Sequence, residues 1–417
     1  MWEIIDLFRN LKNKHFKFKK ILNSFKISIK HNCIFNKAFN YNFILVHTMS
    51  LFSKRIWIDI EQPKTAIMFK SLIKKFEKEG LELLITARDY DSTYQILDDS
   101  GIKYKKIGRH GGGKLEFKLK TYITRLKQLF PLIIRFSPDY FITFLSIEGT
   151  RIAYGLQIPS IGFNDEPRNK PVCKLIHPFI GNLITPECIP KECYIQLYAD
   201  LEKLIRYNGV DEIAWLSEYA PNPEILERFD LEKGKYLIMR TEPTHASYLI
   251  DKLKPEETMI VKFFPQIFKE FPNYKYFLLV RSKKQEQFLL NRLKILSKEK
   301  NVIITQYLPN IVDLCFYGAL IISGGGTIVR ESSLLNVPSI EFFPGESAPQ
   351  EKFLIKNGFP LEHIRESNQL VNRTIDILNQ GPSPDRFKIS SFKEKISQFD
   401  NPIEICFDYV KNKLKLL

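Results

Sequence analysis

The residues with the most chemistry in their spacing lie in SGGGTIVRESSLLNVPSIEFFP, residues 323 to 344. An apolar run ending at Ser323 meets three glycines, Gly324, Gly325 and Gly326, and then Thr327 opens a helical pattern. Glycines let the backbone approach a ligand closely, and the unpaired N–H groups of a helix start carry partial positive charge that attracts an anion. Thr327 adds a hydroxyl. Arg330 can neutralise phosphate, and Glu331, one helical turn past Thr327, can accept hydrogen bonds from a pair of ribose hydroxyls. The bland alternative is a tight strand-to-helix turn with Arg330 and Glu331 solvated.

Other clusters follow apolar runs, where open parallel sheets hold their ligands. Asp59, Glu61, Gln62 and Lys64 follow RIWIDI, and a ligand role for Asp59 and Gln62 competes with a helix-opening role for Lys64. IGRHGGG joins Arg109 and His110 to Gly111, Gly112 and Gly113, a loop able to bring an imidazole and a guanidinium to a ligand. Imidazole suits general-base work near neutral pH, which makes His110 the leading catalytic candidate over an ordinary surface histidine. FNDEP sets Asn164, Asp165 and Glu166 directly after another apolar run, with Asp165 and Glu166 as further catalytic candidates. Glu148 more simply stabilises a helix start. Arg240 and Arg281 close two further apolar runs and are expected to bind phosphates, with surface ion pairs as the alternative; Thr244, His245 and Ser247 follow in a loop of open role.

The elements that must position these residues alternate. RIWIDI (55 to 60) reads as a strand, Pro63 opens a helix closed by Gly80, and LELLIT (81 to 86) reads as a second strand. IKYKKI, DYFITF, SIGF and NLIT continue the series, separated by helical stretches such as residues 115 to 136, which carry Leu119, Ile123, Leu126, Leu129 and Ile133. The charged, turn-rich stretch at 217 to 235 interrupts the rhythm, and YLIM, KYFLLV, NVIIT, ALIIS and PSIEFF then repeat it. Strands alternating with helices predict parallel sheets. The expected organisation is a basic extension over 1–54, Rossmann-like domains over 55–220 and 221–388, and a C-terminal helix over 389–417 that crosses back to the first domain.

The chain has 417 residues, 44% of them hydrophobic, which fits two globular domains. Residues 1–48 hold nine Lys or Arg against Glu3 and Asp6, so nearly half of the net charge of +15 sits there. The remaining excess is thinly spread, which suits a small anionic ligand and argues against a nucleic-acid partner. Ile4, Leu7, Phe8 and Leu11, then Phe18, Ile21, Leu22 and Phe25, recur at helical spacing among these lysines. That pattern predicts a peripheral membrane contact if translated, whereas a start at Met49 removes it. The six cysteines form no CxxC pair, so no metal site is expected, and the chain reads as cytoplasmic.

The glycine turn followed by T-x-x-x-E and N-V-P-S-I resembles the nucleotide-binding half of GT-B proteins, including the N-acetylglucosaminyltransferase of lipid II synthesis and the UDP-N-acetylglucosamine 2-epimerases. That resemblance implies two Rossmann-like domains facing a cleft, with Glu331 on the ribose and acidic groups such as those of FNDEP near the sugar. IWIDIEQPK, TARDY, IGRHGG, FNDEP and YNGVDEIAWL are together similar to one uncharacterised family, a domain of unknown function. The resulting expectation is a glycosyltransferase-like enzyme using a nucleotide-sugar, UDP-linked by resemblance, with no metal or further cofactor. A hydrolysing epimerase, which would gather Glu148, Asp165 and Glu166 near the sugar, and a non-catalytic nucleotide-sugar binder are the alternatives.

Overall fold

A computed structural model describes residues 54–243, 254, 256–294, 298–342 and 345–415. The expectations for residues 1–48, and for Thr244, His245 and Ser247, fall outside these.

Two parallel sheets organise the rest. The first contains β1 (Arg55–Ile60), β2 (Glu82–Asp89), β3 (Lys105–Arg109), β4 (Tyr140–Thr143), β5 (Ser160–Phe163), β6 (Asn182–Pro186) and β7 (Leu204–Tyr207), in the order β3-β2-β1-β4-β5-β6-β7. Its connecting helices are α1 (Pro63–Lys78), α2 (Thr93–Asp99), α3 (Leu115–Phe136), α4 (Ile147–Gly155) and α5 (Lys170–Ile176), and a short turn of helix, α6 (Ile213–Leu216), follows β7. The second sheet contains β8 (Tyr236–Arg240), β9 (Lys275–Leu279), β10 (Val302–Thr305), β11 (Leu320–Ser323), β12 (Ser339–Glu341) and β13 (Leu361–His363), in the order β10-β9-β8-β11-β12-β13. Between them run α7 (Ile260–Glu270), α8 (Lys283–Arg292), α9 (Ile311–Tyr317), α10 (Gly326–Leu334) and α11 (Pro349–Lys356), followed by α12 (Ser367–Gln380), α13 (Ser390–Ile396) and α14 (Pro402–Leu414).

The sequence explains the ordering of the first sheet. Ile56, Trp57, Ile58 and Ile60 of β1 are all fully buried, as a central strand covered on both faces requires. Ile56, Ile58 and Ile60 pack against α1 and α2, while Trp57 meets Phe141 and the Leu129 and Ile133 face of α3. Pro63 starts α1 where its missing N–H costs nothing, and Gly80 ends the turn at φ +74°. The crossing tail is present: Ile403, Cys406 and Val410 of α14 enter the same core as α1.

Three expectations needed correction. β2 runs to Asp89, three residues beyond LELLIT, and two strands were not foreseen. β7 is a four-residue edge strand, and β13 has three residues with only Leu361 buried, too short for a period of two to register. In α3 only Leu129 and Ile133 of the five apolar residues are buried; Leu119 and Ile123 are exposed.

Because α14 closes the first core from more than 300 residues away, Val410→Asp should place an unpaired carboxylate against α1 and cost about 3 kcal/mol or more. A lower urea midpoint for the whole chain checks this.

Candidate functional site

The carboxyl ends of the two sheets meet through side chains after β5, β7 and β11. Lys64, in the first turn of α1, donates to Asp165 Oδ2 at 2.5 Å and to Asp211 Oδ2 at 2.6 Å. Arg330 of α10 reaches across with Nε on Glu212 Oε1 at 2.8 Å, Nη1 on Glu351 Oε1 at 2.6 Å, and Nη2 at 3.7 Å from Asp165 Oδ2. Gln350 Nε2 adds a bond to the Asp165 carbonyl at 2.5 Å. Two cations thus hold four carboxylates in a buried seam.

Each carboxylate's affinity for protons follows from its place. Burial opposes charge at Asp165, but Lys64 and Arg330 together outweigh it, so this carboxyl lies below its ordinary range and is ionised at neutral pH. Asp211 has Lys64 alone, with burial and the neighbouring Asp165 and Glu212 raising it; the Tyr207 hydroxyl donates to its other oxygen. Lys64 is held charged, because Asp165 and Asp211 overcome its desolvation. Glu212 Oε2 and Glu351 Oε2 are buried without a hydrogen-bond partner among the described residues.

The glycine loop sits beside this seam. Gly325 is the N-cap of α10 and Thr327 its second residue, half-buried. A Cβ on Gly325 would stand 2.6 Å from Arg281 Nη2, and one on Gly326 would stand 2.5 Å from Arg330 Nη1. Side chains at these two positions would have to push aside the ends of Arg281, Arg330 and Glu351, whereas a Cβ on Gly324 would meet the fixed backbone of Glu242 at 2.9 Å. Gly324 packs on the backbone of Glu242, whose buried carboxylate accepts from Thr258 Oγ1 at 2.6 Å and from the Met259 amide at 2.9 Å. Arg240 pairs in register with Ser323, and its Nε is buried without a hydrogen-bond partner among the described residues. Arg281 Nε donates to the Thr241 carbonyl at 2.9 Å.

Glu331 lies one turn into α10, buried, with Trp215 Nε1 donating to its Oε1 at 2.9 Å. Burial and Glu212 push its carboxyl up to about 7. Arg330 spends its donors on Glu212 and Glu351, so a phosphate would have to displace one of these acids to reach it.

In the first domain, Asp59 is fully buried and forms a fork with Arg125 at 2.7 and 3.0 Å, while Thr86 and Ser146 donate to it at 2.5 and 2.6 Å. Glu148 also faces Arg125, at 3.5 Å. Arg125 passes over Gly108, which has φ +78° and where a Cβ would lie 2.7 Å from Arg125 Cδ. Asp59 thereby anchors β1 to α3 with its oxygens engaged. Glu61 beside it accepts from Thr143 at 2.8 Å, and burial together with Asp59 raises its carboxyl. Gln62 caps α1 by position, half-buried.

The remaining candidates scatter. His110 Nδ1 accepts from the Gly112 amide at 3.1 Å and its ring packs 4.5 Å from Tyr90, with Arg109 exposed beside it and Gly111 tight against Lys118. β3 lies four strand steps from β5, about 19 Å at the usual spacing, so the structure does not bring His110 and Asp165 together. Asn164 turns inward to His177 Nε2 at 2.8 Å, and Glu166 forks with Arg168 at 2.6 Å. Sequence reasoning missed Asp211, Glu212, Trp215 and Glu351. The first three lie in YNGVDEIAWL, whose mix of acids and apolar residues carried no strand-end signature, and Glu351 had no glycine or apolar run to mark it.

Two parallel α/β sheets joined at their carboxyl ends, with a glycine loop opening a helix on one side and a tail helix crossing back, define a GT-B protein. The solved structures agree on the fold. The UDP-GlcNAc 2-epimerase of Methanocaldococcus jannaschii, in complex with UDP-GlcNAc and UDP, matches with a TM-score of 0.61 at 15% identity, over 82% of this chain and 98% of that one. MnaA of S. aureus, solved with UDP, gives 0.62 at 17% identity over 87% and 98%. The glycotransferase of kitacinnamycin gives 0.53 at 11% identity over 86% and 98%. Residues 54–415 match the model of a protein family of unknown function, DUF354, and the chain belongs to it. The uncharacterized protein MJ0665 of Methanocaldococcus jannaschii is 26% identical over 376 residues, covering 86% of this chain and 98% of that protein.

A carboxyl whose folded-state affinity for protons is raised keeps its proton where the unfolded chain has lost it, so its stability contribution falls as pH rises between the two values. For Glu331 that window runs from 4.5 to about 7. Glu331→Gln keeps an acceptor for Trp215 and removes the titration. Its urea-unfolding free energy should exceed that of wild type by about 1–3 kcal/mol at pH 8 and match it near pH 4.5. Arg330→Met leaves Glu212 and Glu351 unpaired and should cost about 3–5 kcal/mol, read in the same unfolding curves.

Proposed function

We propose that the chain binds a nucleotide-sugar, UDP-linked, against the second sheet, and transfers its sugar to an acceptor lying toward the first domain. The observation that carries this reading is the pair of guanidiniums at the glycine loop: Arg281, within 2.6 Å of a Cβ position on Gly325, and Arg240, whose buried Nε lacks a partner among the described residues. With the N-terminus of α10 they form a cationic cradle able to hold a diphosphate and to stabilise it as it departs. Glu331, at the end of that first turn, would exchange Trp215 for the ribose hydroxyls. Asp165, held ionised by Lys64 and Arg330, is too weakly basic to take a proton at neutral pH, so proton transfer would fall to His110, whose loop with Arg109 would serve the acceptor side.

A hydrolysing epimerase is the second reading. It is favoured by the density of acids around Asp165 in the seam and by the likeness in fold to the UDP-GlcNAc 2-epimerase of Methanocaldococcus jannaschii. Against it, Glu148 pairs with Arg125, Asp165 with Lys64 and Glu166 with Arg168, so its expected trio is held by three different cations.

A thermal-shift screen against nucleoside diphosphates and nucleotide-sugars tests the shared premise, because ligand binding raises apparent stability by mass action. A uridine compound should raise the melting temperature, and Arg281→Ala should weaken its binding at least about tenfold. No shift with any nucleotide would end both readings. Incubating UDP-GlcNAc without acceptor separates them: free UDP with an epimerised sugar selects the epimerase, and an unchanged donor that turns over only with an added acceptor selects the transferase.

A further inference from the structure

The 22-residue helix α3 is the most unusual surface of the first domain. Leu115, Leu119, Ile123, Leu126, Phe130 and Ile134 follow one another at steps of four, four, three, four and four, so they form one continuous stripe. All but Leu126 are exposed, Leu115 at 82%, Leu119 at 59% and the rest at about half. The helix is held to its domain by the neighbouring face, through Leu129, Ile133 and the buried Arg125, so the stripe is left over after the core is complete. Single exposed apolar residues are ordinary; five on one stripe about 30 Å long are not.

Charge narrows the occupant. Lys118, Lys120 and Lys127 are exposed along the same helix, and Glu116 is its only acid. A second copy docking stripe to stripe would bring these lysines onto like charges, in a chain already carrying +15. An anionic bilayer offers the complement: its headgroups take the lysines while the stripe enters the acyl boundary, as a basic amphipathic helix does when it lies in the interface. A spanning arrangement is not at issue, since no helix among the described residues is long and apolar enough to cross a membrane.

We propose that α3 is a membrane-docking surface, which seats the first domain on anionic lipid through the Leu119, Ile123 and Phe130 stripe and its flanking lysines. The surface is independent of what the cleft binds. Residues 1–48 carry a basic amphipathic pattern of their own in the sequence, so the test must separate the two.

The experiment is flotation of the full chain with vesicles of phosphatidylcholine containing one-third phosphatidylglycerol, and with phosphatidylcholine alone. Wild type should float with the anionic vesicles at low salt, and poorly with neutral vesicles or at high salt. The combined Leu119→Ser, Ile123→Ser and Phe130→Ser variant should lose at least about tenfold in partitioning, with its circular dichroism spectrum and melting curve retained because these positions are exposed. A Lys118→Glu, Lys120→Glu and Lys127→Glu variant should lose a similar amount while keeping the stripe. If the serine variant floats like wild type, the contact lies elsewhere in the chain and the proposal falls. It falls equally if wild type ignores all vesicles, or if it sediments as a dimer that the serine variant converts to monomer, which would assign the stripe to a second copy.

Discussion

Arg330 is the interaction on which the rest of the structure depends. It projects from a helix of the second domain, yet two of its three acidic neighbours, Glu212 and Asp165, come from the first. A buried ion pair is seldom favourable in itself, because desolvating the partners costs about what their attraction returns. Here the charges do not even balance, with two cations facing four acids. The seam is therefore better understood as a device that fixes geometry: it sets the glycine loop of one domain at a defined position relative to β5 of the other, and it keeps Asp165 ionised while its neighbour Asp211 is pushed the other way.

The same seam explains why the segment from 207 to 216 matters more than its short elements suggest. Tyr207 and Ala214 belong to the core of the first sheet, whereas Val210, Ile213 and Leu216 belong to that of the second. Between them Asp211 faces Lys64 and Glu212 faces Arg330, and Trp215 reaches Glu331. A stretch of ten residues thus touches both cores and supplies three polar groups to the junction. Any relative movement of the two sheets has to pass through it.

How much of this was legible in the sequence depends on the kind of signal. Long apolar runs such as RIWIDI and KYFLLV announce central strands because both faces are buried, and the glycine turn announces a helix start because the backbone of Glu242 lies against Gly324. Short edge strands carry neither mark, which is why β7 and β13 were missed. The ion network was illegible for a different reason. Asp165, Glu212, Arg330 and Glu351 are far apart in the chain, and each has a plausible life as a solvated surface charge; only the fold reveals that they share one buried volume. Asp59 errs in the opposite direction, since its position after a strand suggests a ligand, while Arg125, 66 residues away, claims it.

Arg125 also ties together three parts of the first domain, α3, β1 and the end of β3. It leaves the buried face of α3 to grip Asp59 and Glu148, and it passes so close to Gly108 that the Arg109–His110 loop takes its course from this side chain. With one face of α3 so committed, the apolar stripe beside it cannot be recruited into the core without breaking the Asp59 fork. The stripe therefore stays on the solvent side because Arg125, Leu129 and Ile133 together fix which face of α3 is turned inward.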